Sequence, residues 1–136
     1  MKKVLSIDDE PMILECIREA LSQAGYEIQT TTDPRAGLER LKSDEAFDLA
    51  LLDVKMPGMS GFEVYRAYRK VRKIPAIFVT AYPGSFNASS DEVVAMWSEE
   101  FADGTTDIVY KPFDLDALLA KIEALIGGPE GPEDDA

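Results

Sequence analysis

Short apolar runs rich in β-branched residues alternate along this chain with segments whose apolar residues recur every three or four positions, and the alternation repeats five times. Residues 4–7, 27–31, 49–52, 76–80 and 107–110 read as strands, the second the most polar of them. Residues 11–24, 34–41, 61–72, 91–101 and 115–126 read as helices. Strands that alternate with helices this regularly pair in parallel, with the helices distributed over both faces of one open sheet. Residues 49–52 are apolar at both parities, the pattern of a strand covered on both sides.

The punctuation agrees. Gly25 stands where a helix C-cap belongs, and Asp33-Pro34 supplies an N-cap followed by proline at the first helical position. Ser60 and Glu63 have capping-box spacing, with Phe62, Tyr65, Tyr68 and Val71 as the apolar stripe that follows. Asp114 caps the last helix, and Phe113 is placed to staple onto Leu118. Gly127-Gly128-Pro129 ends it, leaving residues 127–136 as a flexible acidic tail or the start of a linker. A length of 136 residues, 46% of them hydrophobic, suits one domain with a real core, here residues 1–126.

Composition removes many chemistries. The chain has no histidine, so it has no Ser-His-Asp arrangement, no imidazole metal ligand and no phosphohistidine of its own. Cys16 is the single cysteine, which excludes a disulfide framework and a zinc or iron–sulfur ligand set and suits a reducing compartment. A net charge of −12 opposes nucleic acid and anionic membrane as direct partners. The start, MKKVLSIDDE, does not read as a signal peptide, and no apolar run approaches a membrane span. A cytoplasmic protein is the expectation.

In open parallel sheets ligands collect beyond the carboxyl ends of the strands. There the first expected strand ends in Asp8 and Asp9, the third in Asp53, the fourth in Thr80 and the fifth in Lys111. Two carboxylates about 4 Å apart repel by roughly 4 kcal/mol at an effective dielectric near 20. Such a cluster persists beside something positive, either Lys111 or a metal. All-oxygen ligands with room for water suit Mg²⁺, and phosphate oxygens then complete the coordination. With a lysine and a hydroxyl added, the set is equipped for phosphoryl transfer, with a carboxylate able to serve as nucleophile. Taken singly each residue has a plainer reading: Asp9 as an N-cap, Thr80 and Lys111-Pro112 as ordinary strand ends.

Asp8-Asp9, Asp53-Val-Lys-Met-Pro57 with Gly58-Met-Ser-Gly61, Thr80-Ala81 and Lys111-Pro-Phe113 together resemble the signature of the response-regulator receiver domain of two-component signalling, over residues 2–126. The resemblance implies a flavodoxin-like doubly wound sheet of five parallel strands, order 2-1-3-4-5, with five helices. It implies that Asp53 accepts a phosphoryl group from a phosphohistidine on a sensor histidine kinase or phosphotransfer protein. Mg²⁺ would be held by Asp9 and Asp53, by Asp8 mainly through water, and by the backbone carbonyl of Lys55. Lys111 would pair with the phosphate, Thr80 would move to bond it, and the Lys111–Pro112 bond would be cis. Phosphorylation would switch contacts with a downstream protein target, a homodimer being among the candidate partners.

The chain departs from the family pattern in three places. Ile108 stands where a Tyr or Phe is usual, and Tyr110 shares its strand parity; the usual aromatic coupling is expected to be absent or carried by another ring, the plainer reading being that Ile108 fills the core and Tyr110 is a surface aromatic. The stretch from Thr80 to Lys111 is longer than the family normally spends, which extends the expected loop at 82–90 and alters the helix that follows, on whose stripe Trp97 lies. Lys55 and Tyr82 lie two residues past Asp53 and Thr80, placed to flank the path of a hydrolytic water; a long-lived phosphoryl state is expected. Cys16 is expected to be a small packing residue. The alternatives are a metal-dependent phosphohydrolase with Asp53 as nucleophile, a receiver cut from a longer protein, and a degenerate receiver that only binds. Lys55 counts against the hydrolase, because the familiar motif has an aspartate there.

Overall fold

The structure, a computed structural model, describes residues 1–80, 106–110 and 114–128, without the side chains of Thr80 and Tyr110. In chain order its elements are β1 (Lys3–Ile7), α1 (Pro11–Ala24), β2 (Glu27–Thr31), α2 (Pro34–Lys42), β3 (Leu49–Asp53), α3 (Gly61–Arg69), β4 (Ala76–Thr80), β5 (Thr106–Tyr110) and α4 (Leu115–Ile126). The strands form one parallel sheet in the order β2-β1-β3-β4-β5. The helix expected at 91–101 with Trp97, the loop at 82–90, and the Lys111–Pro112 bond lie outside the described residues.

Period-2 alternation divides the core between the two faces. Leu5, Ile7, Ala50, Leu52 and Phe78 face the cluster formed with Leu38 and Leu41 of α2 and Phe62, Tyr65 and Tyr68 of α3. Val4, Leu49, Leu51, Ile77 and Val109 face Ile17 and Leu21 of α1 and Leu118 and Ile122 of α4. All five residues of β3 are buried, as a central strand covered on both sides requires. Phe78 packs against Phe62 and Tyr65 at ring separations of 4.7 and 5.6 Å, wedging α3 onto the sheet.

The helix ends follow local chemistry. Gly25 takes φ 103°, and its N–H donates to the carbonyls of Leu21 and Ser22, closing α1. Asp33 accepts from the N–H of Arg35, Asp114 accepts from that of Asp116, and Ser60 and Glu63 form the expected reciprocal box.

Two expectations fail. The third helix stops at Arg69 and not near Arg72: the N–H of Val71 tightens onto the carbonyl of Tyr68, three residues back, and Ile74 must be extended ahead of Pro75. Val71 therefore leaves the apolar stripe and stands 56% exposed. Cys16 is exposed instead of packed; one position before Ile17, it falls off the buried stripe at 14, 17 and 21.

An ionic knot closes the end of the sheet where the strands begin. Glu45 accepts from Arg40 through both carboxylate oxygens, at 3.0 and 2.6 Å, and from Lys3 of β1 at 2.7 Å. Arg72 adds hydrogen bonds to the carbonyls of Leu41, Ser43 and Glu45. The Arg40 and Lys3 bonds hold the Glu45 carboxyl down at about 2, below its ordinary 4.5. A depressed folded value means the knot contributes fully above the unfolded value and is lost as pH falls from about 4.5 toward about 2. Glu45→Gln should cost about 1 kcal/mol at neutral pH, since the group is partly solvated, and progressively less as the pH falls toward the folded value. Urea unfolding of both forms across that range checks it; a constant difference at every pH contradicts it.

Candidate functional site

The register sets the site. Ile7 pairs with Leu52, so the next residues, Asp8 and Asp53, emerge at neighbouring strand ends, and by alternation on the same side of the sheet. Asp53 pairs with Val79, which puts Thr80 one step further along β4, and Thr80 pairs with Tyr110, the last residue of β5. The backbone thus lines up the ends of β1, β3, β4 and β5 on one rim. Lys111 and Tyr82 lie outside the described residues, as do the side chains of Thr80 and Tyr110.

Burial separates the acids. Asp8 and Asp53 are 1% and 4% exposed, two of the three buried polar or charged residues among those described, whereas Asp9 and Glu10 are exposed. Carboxylates are rarely this buried unless paired or metal-bound. Asp8 accepts the N–H of Glu10 at 2.9 Å, which holds the turn into α1. Glu10, not Asp9, is the N-cap residue of that helix, and its side chain makes no cap bond. The plain reading of Asp9 as an N-cap therefore does not hold, and its carboxylate is left to the rim.

One oxygen from each of Asp8, Asp9 and Glu10 can be chosen so that all three lie within 4.8 Å of one another. Glu10 is the member that sequence reading missed; its adjacency to Asp8-Asp9 was the available signal. This donor set is oxygen only and partly open to water, in a chain without imidazole, and so fits a hard cation such as Mg²⁺.

The segment after Asp53 is firmly held. Val54 donates to the carbonyl of Val79 at 2.8 Å, and Gly61 donates to that of Val54 at 3.1 Å. Val54 and Met56 are buried while Lys55 between them is exposed, so the loop is anchored on both sides of Lys55. The first residue of α3 must be glycine: a Cβ on Gly61 would lie 2.5 Å from the Asp53 carbonyl oxygen. Ile108 is half-buried and packs against the cluster that contains Phe78 and Tyr65.

Comparison with known proteins gives one answer. The family model of the response regulator receiver domain matches residues 4–123. The response regulator ArlR of Staphylococcus saprophyticus is 32% identical over 126 residues, 93% of this chain and 53% of that protein. The chain spans about half the length of the curated relatives it matches. A CheY-like receiver domain protein from Methanospirillum hungatei superposes with a TM-score of 0.77 at 32% identity, covering 91% of this chain and 92% of that one. The response regulator TrrA of Thermotoga maritima, solved in complex with Mg²⁺–BeF, superposes at 0.72 with 33% identity, covering 92% and 99%. Among the described residues no helix is long and apolar enough to cross a membrane. With its strand order, its buried aspartates at adjacent strand ends and a family match along nearly its whole length, the chain belongs to the response regulator receiver domains of two-component signalling.

Proposed function

We propose that Asp53 is the phosphoacceptor of this receiver and that the acidic rim works with Mg²⁺. The carrying observation is that Asp8 and Asp53 are both buried carboxylates at the ends of the paired strands β1 and β3. A carboxylate oxygen of Asp53 attacks the phosphorus, forming a P–O bond as the P–N bond of a partner's phosphohistidine breaks. The departing imidazole then takes a proton from solvent. Asp8, Asp9, Asp53 and the carbonyl of Lys55 would hold the ion, which supplies neutralisation of charge on the phosphoryl oxygens. Related TrrA has been solved with Mg²⁺ and a fluoroberyllate, which supports the same kind of site here.

Lys111 and Thr80 would meet the phosphate from the ends of β5 and β4, and Lys55 with Tyr82 would screen the product from water. With Ile108 committed to the core, switching relies on Tyr110 or another ring. A histidine kinase or phosphotransfer protein is the donor, and a downstream protein reads the state. Residues 1–126 act as the receiver and 127–136 as a tail or linker start. On this reading the chain is a switch that retains one phosphoryl group, and not a turnover enzyme.

Incubation with acetyl phosphate and Mg²⁺ should add one phosphoryl mass per chain, and none with EDTA present. Steady release of phosphate without a retained adduct would favour a hydrolase, and labelling indifferent to EDTA would remove Mg²⁺ from the account.

A further inference from the structure

A protein this acidic carries one concentrated exception. Five of its 14 basic residues, Arg66, Arg69, Lys70, Arg72 and Lys73, fall within eight positions, and no acidic residue lies between Glu63 and Asp91. Part of this is ordinary helix chemistry, since cations in the last turn of α3 favour its dipole. Arg72 is engaged with backbone carbonyls, and Arg69 lies over the Tyr65 ring at 5.1 Å. Lys70 and Lys73 are different: both are exposed, one at the C-cap and one beyond it, and neither has an ion-pair partner among the described residues. Glu63, the acid of the same helix, is used at the opposite end in the capping box. Between the two lysines stands Val71, one of three large apolar side chains exposed among the described residues.

We propose that residues 66–73 form a docking surface for an acidic segment of a partner protein, one that brings an apolar side chain to Val71. Opposite charge selects the partner and speeds encounter, while the exposed valine at the centre offers the dry contact that gives such a patch specificity. A nucleic acid fits less well. Its phosphates would not use Val71, and a long polyanion would meet the negative remainder of the chain.

The test uses the full chain, isotopically labelled, and a short synthetic peptide of Asp and Glu with one central Leu. Amide shifts confined to residues 66–73, with affinity reduced about tenfold in Lys70→Glu/Lys73→Glu and about threefold in Val71→Ser, support the surface. Both lysines and the valine are exposed, so Val71→Ser should melt with the wild type, and Lys70→Glu/Lys73→Glu should stay folded and melt only slightly lower, from the reversed charge at the end of α3. Three results overturn the proposal. One is the absence of shifts in the patch. Another is equal binding of a peptide lacking the Leu, or of a single-stranded oligonucleotide of the same charge. The last is movement of the patch resonances, without peptide, when Glu130, Glu133, Asp134 and Asp135 are changed to amides, because the chain's own tail would then be the occupant.

Discussion

Gly61→Val is expected to lower stability by about 2–3 kcal/mol and to slow phosphoryl uptake about tenfold or more. The added Cβ would lie 2.5 Å from the carbonyl oxygen of Asp53, 3.1 Å from its carbon and 3.2 Å from Cβ of Leu52. Two of those three atoms are backbone of Asp53 itself, so no rotamer change relieves the contact. Either α3 withdraws, opening the contacts of Phe62 and Tyr65 with Phe78, or Asp53 is pushed out of register with β4. Gly58→Ala is the control: Gly58 has φ 82° with open space around it, so it loses only the left-handed backbone penalty, about 1 kcal/mol. Urea unfolding and single-turnover labelling with acetyl phosphate measure both effects. If Gly61→Val labels at the wild-type rate, α3 does not position the acceptor.

The second large effect concerns Asp9. Its carboxylate is exposed and does not cap α1, so its removal carries little structural cost. Near Asp8 and Glu10 it raises the local negative charge, and relief of that repulsion offsets even this small loss. Asp9→Asn is therefore expected to unfold in EDTA at or slightly above the wild-type temperature. Mg²⁺ should bind it at least about tenfold more weakly, and the stabilisation expected of the wild type in millimolar Mg²⁺ should largely vanish. Thermal melts with and without the ion read both quantities. An unchanged Mg²⁺-dependent shift would show that Asp9 is not a ligand.

What could be read from the chain was what depends on neighbours in sequence. The period of the apolar residues located every described element but the polar β2, because burying one stripe or one face is a local requirement. Caps at Gly25, Asp33, Ser60 and Asp114 were legible for the same reason: each is a side chain or a glycine serving backbone groups a few residues away. Val71 was misplaced because its spacing continues the stripe of α3, while the demand of Pro75 for extended backbone ends the helix first. The Glu45 knot was invisible, since Lys3 and Glu45 meet only after β1 takes its place in the sheet. At the rim, the strand-end rule put Asp8 and Asp53 at the ends of neighbouring strands, where the register pairs the residues just before them. It could not tell that the turn into α1 would free Asp9 from capping and draw Glu10 into the cluster.

The central claim is that the acceptor is the carboxylate at position 53. Borohydride reduces an acyl phosphate to an alcohol, so chain labelled with acetyl phosphate and Mg²⁺, then reduced and cut into peptides, carries homoserine at the phosphorylated aspartate. The account predicts homoserine at residue 53 alone, and none in chain labelled with EDTA present. Homoserine at position 8 or 9, or an adduct that resists reduction, would contradict it.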